Sequence, residues 1–309
     1  MTDEEGLFWL NDRIEKIKQV NEQENLEANS YMTYSFGKDS TVLHHLLDLA
    51  LPKNNIPRVF INTGLEYNAI RKKAFNDAKA DKRIIILNSN VNIKRMLEKE
   101  GYPFKSKEHS LKVSQYKQGS RANSVLKYKQ GFENINYSRF QCPKKLLYQF
   151  EDEFKLKISN KCCYKLKKDV IHLWEKENKK IISMTGMRNE EGGQRANLGC
   201  LITKNDRVVK FHPLMPMKED WIDWFVEYFK IELCELYYSP FNFKRTGCKG
   251  CPFSLNLQEQ LDVLERVLPA EKKQCEILWK PVYDEYRRIG YRLRKKGQPV
   301  QTTIFDFMD

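Results

Sequence analysis

Tyr34-Ser35-Phe36-Gly37-Lys38-Asp39-Ser40-Thr41 stands between a short apolar run with strand character, Tyr31 to Tyr34, and a helical pattern, Val42-Leu43-His44-His45-Leu46-Leu47. A glycine turn between a strand and a helix start presents backbone N–H groups to an anion, and the helix dipole favours negative charge there. Lys38 adds a point charge suited to phosphate, and Ser35 and Ser40 add hydroxyl donors. The stretch reads as a phosphate cradle. It is not a Walker loop, which needs four residues between its first glycine and the Gly-Lys pair. A helix N-cap turn with no ligand is the plainer alternative. Lys and Asp have no packing reason to stand at an apolar strand-to-helix junction, which favours the cradle.

Outward from this loop the pattern alternates. Residues 7–23 place Leu7, Leu10, Ile14, Ile17 and Val20 on one helical stripe. Residues 41–50 form the helix behind the loop, Arg58 to Ile61 a second strand, 67–79 a helix and Arg83 to Leu87 a third strand. Ile181 to Met184 is a further strand, and Val208 to Phe211 a strand near the sheet edge. Residues 219–230 are helical, and 256–267 and 270–294 read as two closing helices. Strands alternating with helices predict an α/β fold, a parallel twisted sheet with helices on both faces, here with helical N- and C-terminal additions. The expected segmentation is an N-terminal helix at 1–27, a nucleotide-binding domain at 28–256 and a helical extension at 257–309. Residues 101–140, rich in Lys, Ser, Tyr and Asn, break the rhythm and read as a basic insertion.

The formal net charge of +13 over 309 residues admits contact with nucleic acid or another polyanion. It also fits a lysine-rich chain with a site for an anionic nucleotide, since lysine is spread along the whole sequence. No run of about 18 apolar residues predicts a membrane span. The acidic, polar start Met1-Thr2-Asp3-Glu4-Glu5 does not resemble a secretion signal, so a cytoplasmic location is expected. In that compartment eight cysteines are not expected to form structural disulfides.

Five elements occur in an informative order. They are Ser35 to Ser40, then Asn62-Thr63-Gly64-Leu65-Glu66, then Cys162-Cys163-Tyr164-Lys165-Leu166-Lys167. Gly186-Met187-Arg188-Asn189-Glu190-Glu191 with Arg195 follows, and then Gly247-Cys248-Lys249-Gly250-Cys251-Pro252. Across residues 28–256 the chain resembles the phosphoadenosine phosphosulfate (PAPS) reductase family, within the adenine nucleotide alpha hydrolase-like, or PP-loop, superfamily. The resemblance implies that Ser35, Gly37, Lys38, Asp39 and Ser40 hold the pyrophosphate of ATP. It places Thr63 and Gly64 near the ribose and adenine, and Gly186, Arg188 and Arg195 on the phosphates. Lys38, Asp39 and Arg188 are the implied catalytic groups, with Asp39 a candidate to position Mg2+. Phe36 replaces a usual glycine and is expected to limit the turn to negative φ. Asn62 replaces a usual aspartate, and Gly192 a usual serine. A surface salt-bridge cluster is the alternative for the arginines.

Soft thiolates select iron–sulfur clusters or zinc, and Cys-x-x-Cys among Gly247, Gly250 and Pro252 makes a tight knuckle. Tandem cysteines followed by a distant Cys-x-x-Cys resemble the signature of the adenylylsulfate reductase branch. That likeness implies a 4Fe-4S cluster on Cys162, Cys163, Cys248 and Cys251, with zinc as the alternative. Cys142, Cys200, Cys234 and Cys275 read as small buried hydrophobes. His212 reads as structural, and Trp221 and Trp224 as core.

Reductases of this family use a cysteine near the C-terminus, in an element like Glu-Cys-Gly-Leu-His, and have usually lost the loop lysine. This sequence retains Lys38 and ends Thr302-Thr303-Ile304-Phe305-Asp306-Phe307-Met308-Asp309, with Cys275 its nearest thiol. The expected activity is therefore cleavage of ATP between its alpha and beta phosphates to adenylate an acceptor for sulfur transfer, as in the cluster-bearing proteins of nucleic-acid sulfur modification. A sulfur-donor protein is an expected partner, and the insertion a candidate nucleic-acid contact. Reduction of a sulfonucleotide with release of sulfite, and a non-catalytic nucleotide-sensing subunit, are the alternatives.

Overall fold

Ser30–Thr33 (β1) places Tyr31 and Met32 in the interior, and the following loop brings Lys38 to the first position of a helix. The computed structural model describes residues 1–131, 140–192, 195 and 197–295; the C-terminal stretch 302–309 and residues 132–139 of the expected insertion lie outside the described residues. In chain order the helices are α1 (Asp3–Glu24), α2 (Leu26–Asn29), α3 (Lys38–Ala50), α4 (Asn68–Ala80), α5 (Ile93–Glu100), α6 (Lys107–Lys117), α7 (Asn123–Gln130), α8 (Lys161–Cys163), α9 (Asp169–Glu177), α10 (Glu219–Tyr228), α11 (Leu257–Val267), α12 (Pro269–Leu278) and α13 (Lys280–Ile289). The strands after β1 are β2 (Arg58–Asn62), β3 (Ile84–Asn88), β4 (Ile182–Met184), β5 (Leu201–Lys204) and β6 (Arg207–Phe211).

Contacts gather these into two compact units whose limits cut across the linear segmentation. Unit 1 holds residues 1–90 and 166–248, and unit 2 holds 91–165 and 249–309. The expected N-terminal helix is part of unit 1. It is α1, opened by a capping box in which the Thr2 hydroxyl accepts from the Glu5 amide and the Glu5 carboxylate from the Thr2 amide. Leu10, Ile17 and Val20 on its stripe are buried.

Unit 1 contains one sheet of order β3-β2-β1-β4-β6-β5, parallel except for β5. The chain runs from β1 outward to β3, then returns to lay β4 on the other side of β1. The loops after β1 and β4 therefore diverge at a switch point, the crevice where ligands sit in such sheets. β6 lies near the sheet edge as expected, one strand in, between β4 and the edge strand β5. The hairpin partner β5 was legible in Asn205-Asp206, both in the left-handed region at φ 50° and 58°. Two such residues make the turn that fits strand twist.

Unit 2 has a packed interior of its own, in which Phe104, Val113, Val125, Tyr128, Leu146 and Phe150 are buried. Among the described residues the closing region forms three helices, α11, α12 and α13. The break at Trp279 precedes Lys280-Pro281, where proline removes a backbone donor at the start of α13. Gly290, at φ 58°, ends α13.

Candidate nucleotide site

The residues expected to bind phosphate come together. Ser35, Gly37, Lys38, Asp39, Ser40, Gly186, Arg188 and Arg195 all line one cavity of about 810 Å³ at the switch point of unit 1. A second cavity of about 280 Å³, mainly apolar, adjoins it and shares Thr33, Ser35 and Thr246. Tyr34, Val59, Phe60, Ile61, Ile70 and Ile171 supply its apolar walls.

The loop is built differently from the expectation for Phe36. Its φ is +57°, so the left-handed residue of the turn is the phenylalanine and not the glycine. The Phe36 ring is 1% exposed, stacks on Tyr34 at 4.0 Å and meets Phe60 edge-on at 5.4 Å. The left-handed region costs a non-glycine residue about 1–2 kcal/mol, and burying a phenylalanine is worth about 1.5–3 kcal/mol. Ring burial therefore holds the backbone in place. Gly37 has an ordinary φ of −82°. Its role is space, because a Cβ there would lie 3.3 Å from the Ser35, Thr246 and Tyr237 hydroxyl oxygens.

Gly186 serves the same purpose across the crevice. A Cβ on it would stand 2.8 Å from the Asp39 carbonyl oxygen, so glycine lets the end of β4 lie against the first turn of α3. Ser35 and Ser40 hydroxyls are 3.0 Å apart, and the Ser40 hydroxyl donates to the Gly37 carbonyl. The Lys38 amide donates to the Tyr237 hydroxyl at 2.9 Å, and that oxygen lies 3.1 Å from Thr246 Oγ1.

Charge of both signs fills the larger cavity. Lys38 Nζ bonds Glu219 and, at 2.6 Å, Asp223 on α10. Burial works against its ammonium, but the Asp223 and Glu219 carboxylates outweigh burial and raise its pKa. Arg188, 2% exposed, reaches Asp39 at 2.7 Å, Glu190 at 2.9 Å and Glu219. Arg195 is pulled below the ordinary arginine value by burial and then by the neighbouring Arg245 guanidinium. Arg245 lines the same cavity, and the Asp39 carboxylate acts on Arg195 in the opposite direction. Tyr237, Thr246, Lys244, Arg245, Glu219 and Asp223 were not singled out in the sequence. None sits in a spacing motif, and only the fold brings 219–246 to the loop.

Thr63 and Gly64 follow β2 but line neither cavity. The Thr63 amide and hydroxyl both donate to Glu66, and Gly64 has φ 80°. Glu66, 5% exposed, lines the apolar cavity and pairs with Lys167 at 3.5 Å. Asn62 donates to Asn88 at 2.8 Å.

Cys162 is buried and Cys163 half-buried on α8, ahead of a π-type turn over Tyr164–Lys168. With Cys251 they belong to unit 2, and Cys248 is the last residue of unit 1. Thiolates suit an iron–sulfur centre. Among the described residues, however, no three His, Cys, Asp or Glu side chains are gathered as metal ligands. Magnesium asks less, since one or two carboxylates plus substrate phosphates hold it, and Asp39, Glu219 and Asp223 line the cavity.

Cys142, Cys234 and Cys275 are buried, and Cys200 half-buried. Burial pushes the Cys275 thiol up to about 12, which does not suit a nucleophile. His212 is fully buried, shares a 2.7 Å hydrogen bond with Thr185 Oγ1, and is lowered to about 4 chiefly by burial, in keeping with a structural role. Trp221 and Trp224 are buried; their indoles donate to the Gly6 carbonyl and to Asp3. Among the described residues no helix is long and apolar enough to cross a membrane.

Three solved structures illustrate the likeness to known proteins. Phosphoadenylyl-sulfate reductase from Candida auris, a phosphate complex, is 14% identical with a TM-score of 0.44, covering 80% of this chain and 96% of that one. FMN adenylyltransferase from Candida glabrata is 12% identical with a TM-score of 0.45, covering 75% of this chain and 58% of that one. U34-tRNA thiolase NcsA from Methanococcus maripaludis, with its 4Fe-4S cluster, is 16% identical with a TM-score of 0.39, covering 91% and 79%. No curated protein matches the chain. The phosphoadenosine phosphosulfate reductase domain model matches residues 29–254, which contain the switch-point loop and the whole sheet, and the chain belongs to that family.

Proposed function

We propose that this protein binds ATP at the switch point and cleaves it between the alpha and beta phosphates, adenylating an acceptor oxygen, which a sulfur donor then displaces as AMP by attacking the acceptor atom that bears it. The observation that carries the reading is the meeting of Lys38, Arg188, Arg195 and Arg245 on one cavity, beside an apolar cavity suited to a base. The acceptor oxygen attacks the alpha phosphorus, the bond to the bridging oxygen breaks, and pyrophosphate leaves. Sulfur then forms a bond to the acceptor while the bond to AMP breaks. Lys38 and the first amides of α3 stabilise charge on the leaving pyrophosphate, a positioning and electrostatic role.

The carboxylates fit this reading. A triphosphate displaces Glu219 and Asp223 from Lys38, and these groups with Asp39 are then available to magnesium, which neutralises phosphate charge when bound. Cys162, Cys163, Cys248 and Cys251 are retained as proposed ligands of an iron–sulfur centre, to be checked by iron and acid-labile sulfide analysis of anaerobically prepared protein.

The deciding experiment supplies ATP and magnesium and measures AMP and pyrophosphate, in parallel with thiol-dependent sulfite release from a sulfonucleotide. AMP and pyrophosphate, lost on Lys38→Ala, support the proposal. Sulfite from the sulfonucleotide overturns it in favour of reduction. Retained ATP affinity with no turnover points to a sensing subunit.

A further inference from the structure

The excess charge of the chain is confined to one unit. Unit 2 contains 28 of the 54 Lys and Arg and 16 of the 41 Asp and Glu, leaving +12 there and +1 in unit 1. Within unit 2, residues 91–165 hold 17 basic and 7 acidic side chains, a net +10. This is not a loose basic tail. The segment folds its apolar residues inward, and His109 is fully buried between the Tyr128 hydroxyl at 3.0 Å and Gln149 at 2.7 Å. Of its 16 described basic residues 12 are exposed, and Lys105, Lys112, Lys129 and Lys165 are half-buried. Lys94, Arg95 and Lys99 on α5 and Lys107 on α6 are exposed, and among the described residues none of the four has an ion-pair partner. The Tyr116 ring lies 4.2 Å from the Arg121 guanidinium and 4.5 Å from the Lys129 ammonium. Exceptions are local: Glu100 pairs with Lys161, and Glu151 with Lys129.

We infer that the exposed basic side chains among the described residues of 91–165 form a binding surface for the sugar-phosphate backbone of a nucleic acid. A packed scaffold carrying many unneutralised cations matches a polymer with one charge per roughly 1.7 Å of duplex. A lipid surface fits less well. Basic membrane-binding segments pair their cations with an exposed apolar face, whereas the only large apolar side chains exposed among the described residues of 91–165 are Phe140 and Tyr164. Naming a nucleic acid as the acceptor rests on the adenylation proposal; the binding does not, and it is measured without ATP.

The test follows the anisotropy of labelled 20-nucleotide single strands and duplexes of DNA and RNA, on the full chain, between 50 and 300 mM NaCl. Affinity should fall steeply with salt. Lys94→Gln/Arg95→Gln/Lys99→Gln and Lys107→Gln/Arg121→Gln/Lys144→Gln should each weaken binding at least tenfold at low salt. Each should also reduce the slope of log affinity against log salt by about 2–3, at roughly 0.7–0.9 per contact. The matched unit 1 triple Lys72→Gln/Lys79→Gln/Lys82→Gln should change neither, and circular dichroism should show all three folded. No oligonucleotide binding at 50 mM salt overturns the inference. So does equal weakening by the unit 1 triple, binding to phosphatidylserine vesicles without binding to oligonucleotides, or equal binding to polyglutamate. Lys38→Ala should keep oligonucleotide affinity while losing AMP formation, so the two proposals fail separately.

Discussion

The two units handle charge in opposite ways. In unit 1 basic and acidic residues nearly cancel, 26 against 25, and at the cavity they meet directly, with Lys38 and Arg188 both bonded to Glu219. In unit 2 most of the described cations of 91–165 are exposed around an apolar interior, with few acids among them. Paired charges suit a small ligand that displaces a carboxylate and brings its own cation. Unpaired charges suit a polymer that releases counterions. The whole-chain value of +13 conceals both arrangements.

The largest effect that would break this comparison concerns Lys38 and Arg188. Replacing either by alanine should lower AMP formation about 10²–10³-fold, the usual loss for one preorganised charge donor, and leave oligonucleotide affinity in place. A smaller activity loss in rapid-quench assays, or a parallel loss of oligonucleotide binding, would show that the units do not divide the work.

Gly186→Ala should come next. The added methyl meets the Asp39 carbonyl at 2.8 Å, so the β4 turn and the first turn of α3 must separate. Misplacement of that order costs about 100-fold in rate, with unit 2 binding unchanged. Wild-type turnover would mean that the close approach plays no part.

Phe36→Gly and Phe36→Ala sharpen the account of the loop. Both lose the buried ring, at about 3–5 kcal/mol, but glycine also relieves about 1–2 kcal/mol of left-handed strain. Urea unfolding should therefore rank wild type above Phe36→Gly and Phe36→Ala lowest. Equal stability of the two variants would remove the strain from the explanation.

The smallest effect compares buried histidines in the two units. Burial lowers His44 and His212 in unit 1 and His109 in unit 2 to about 4; the Gln149 bond to His109 acts the other way but does not overcome it. The unfolded chain titrates near 6.5 and binds more protons between the two values. Stability is therefore present above about pH 6.5 and falls as pH drops toward 4. His109→Gln should reduce that slope by about one proton in urea titrations at several pH values. An unchanged slope would mean that His109 is protonated in the folded chain.

Much of the fold was legible because it rests on local periodicity. β1, β2, β3 and β4, with α3 and α4 between the first three, fall within a few residues of the apolar runs that predict them, whereas α5 to α9, between β3 and β4, were not anticipated. The β5–β6 hairpin and the break at Trp279 were also written locally, in Asn205-Asp206 and Lys280-Pro281, but in turn chemistry that a periodicity reading passes over. The phosphate loop was legible because glycine, lysine and serine at a strand-to-helix junction have a chemical meaning before any packing is known. Phe36 shows where such reading ends. Its φ is decided by Tyr34 and Phe60, and Phe60 is brought to it only by the pairing of β1 with β2.

By itself, then, the sequence determined the alternation of strand and helix, the loop of Ser35 to Ser40 and the total charge, because each is set by neighbours along the chain. Only the tertiary structure decided that Glu219, Asp223, Tyr237 and Arg245 face Lys38 and Arg188 across one cavity, and that nearly all the net charge falls in one unit. The physical reason is the same in both cases. Coulomb and hydrogen-bond energies depend on distance in space, and side chains some 200 residues apart acquire that distance only when the sheet forms.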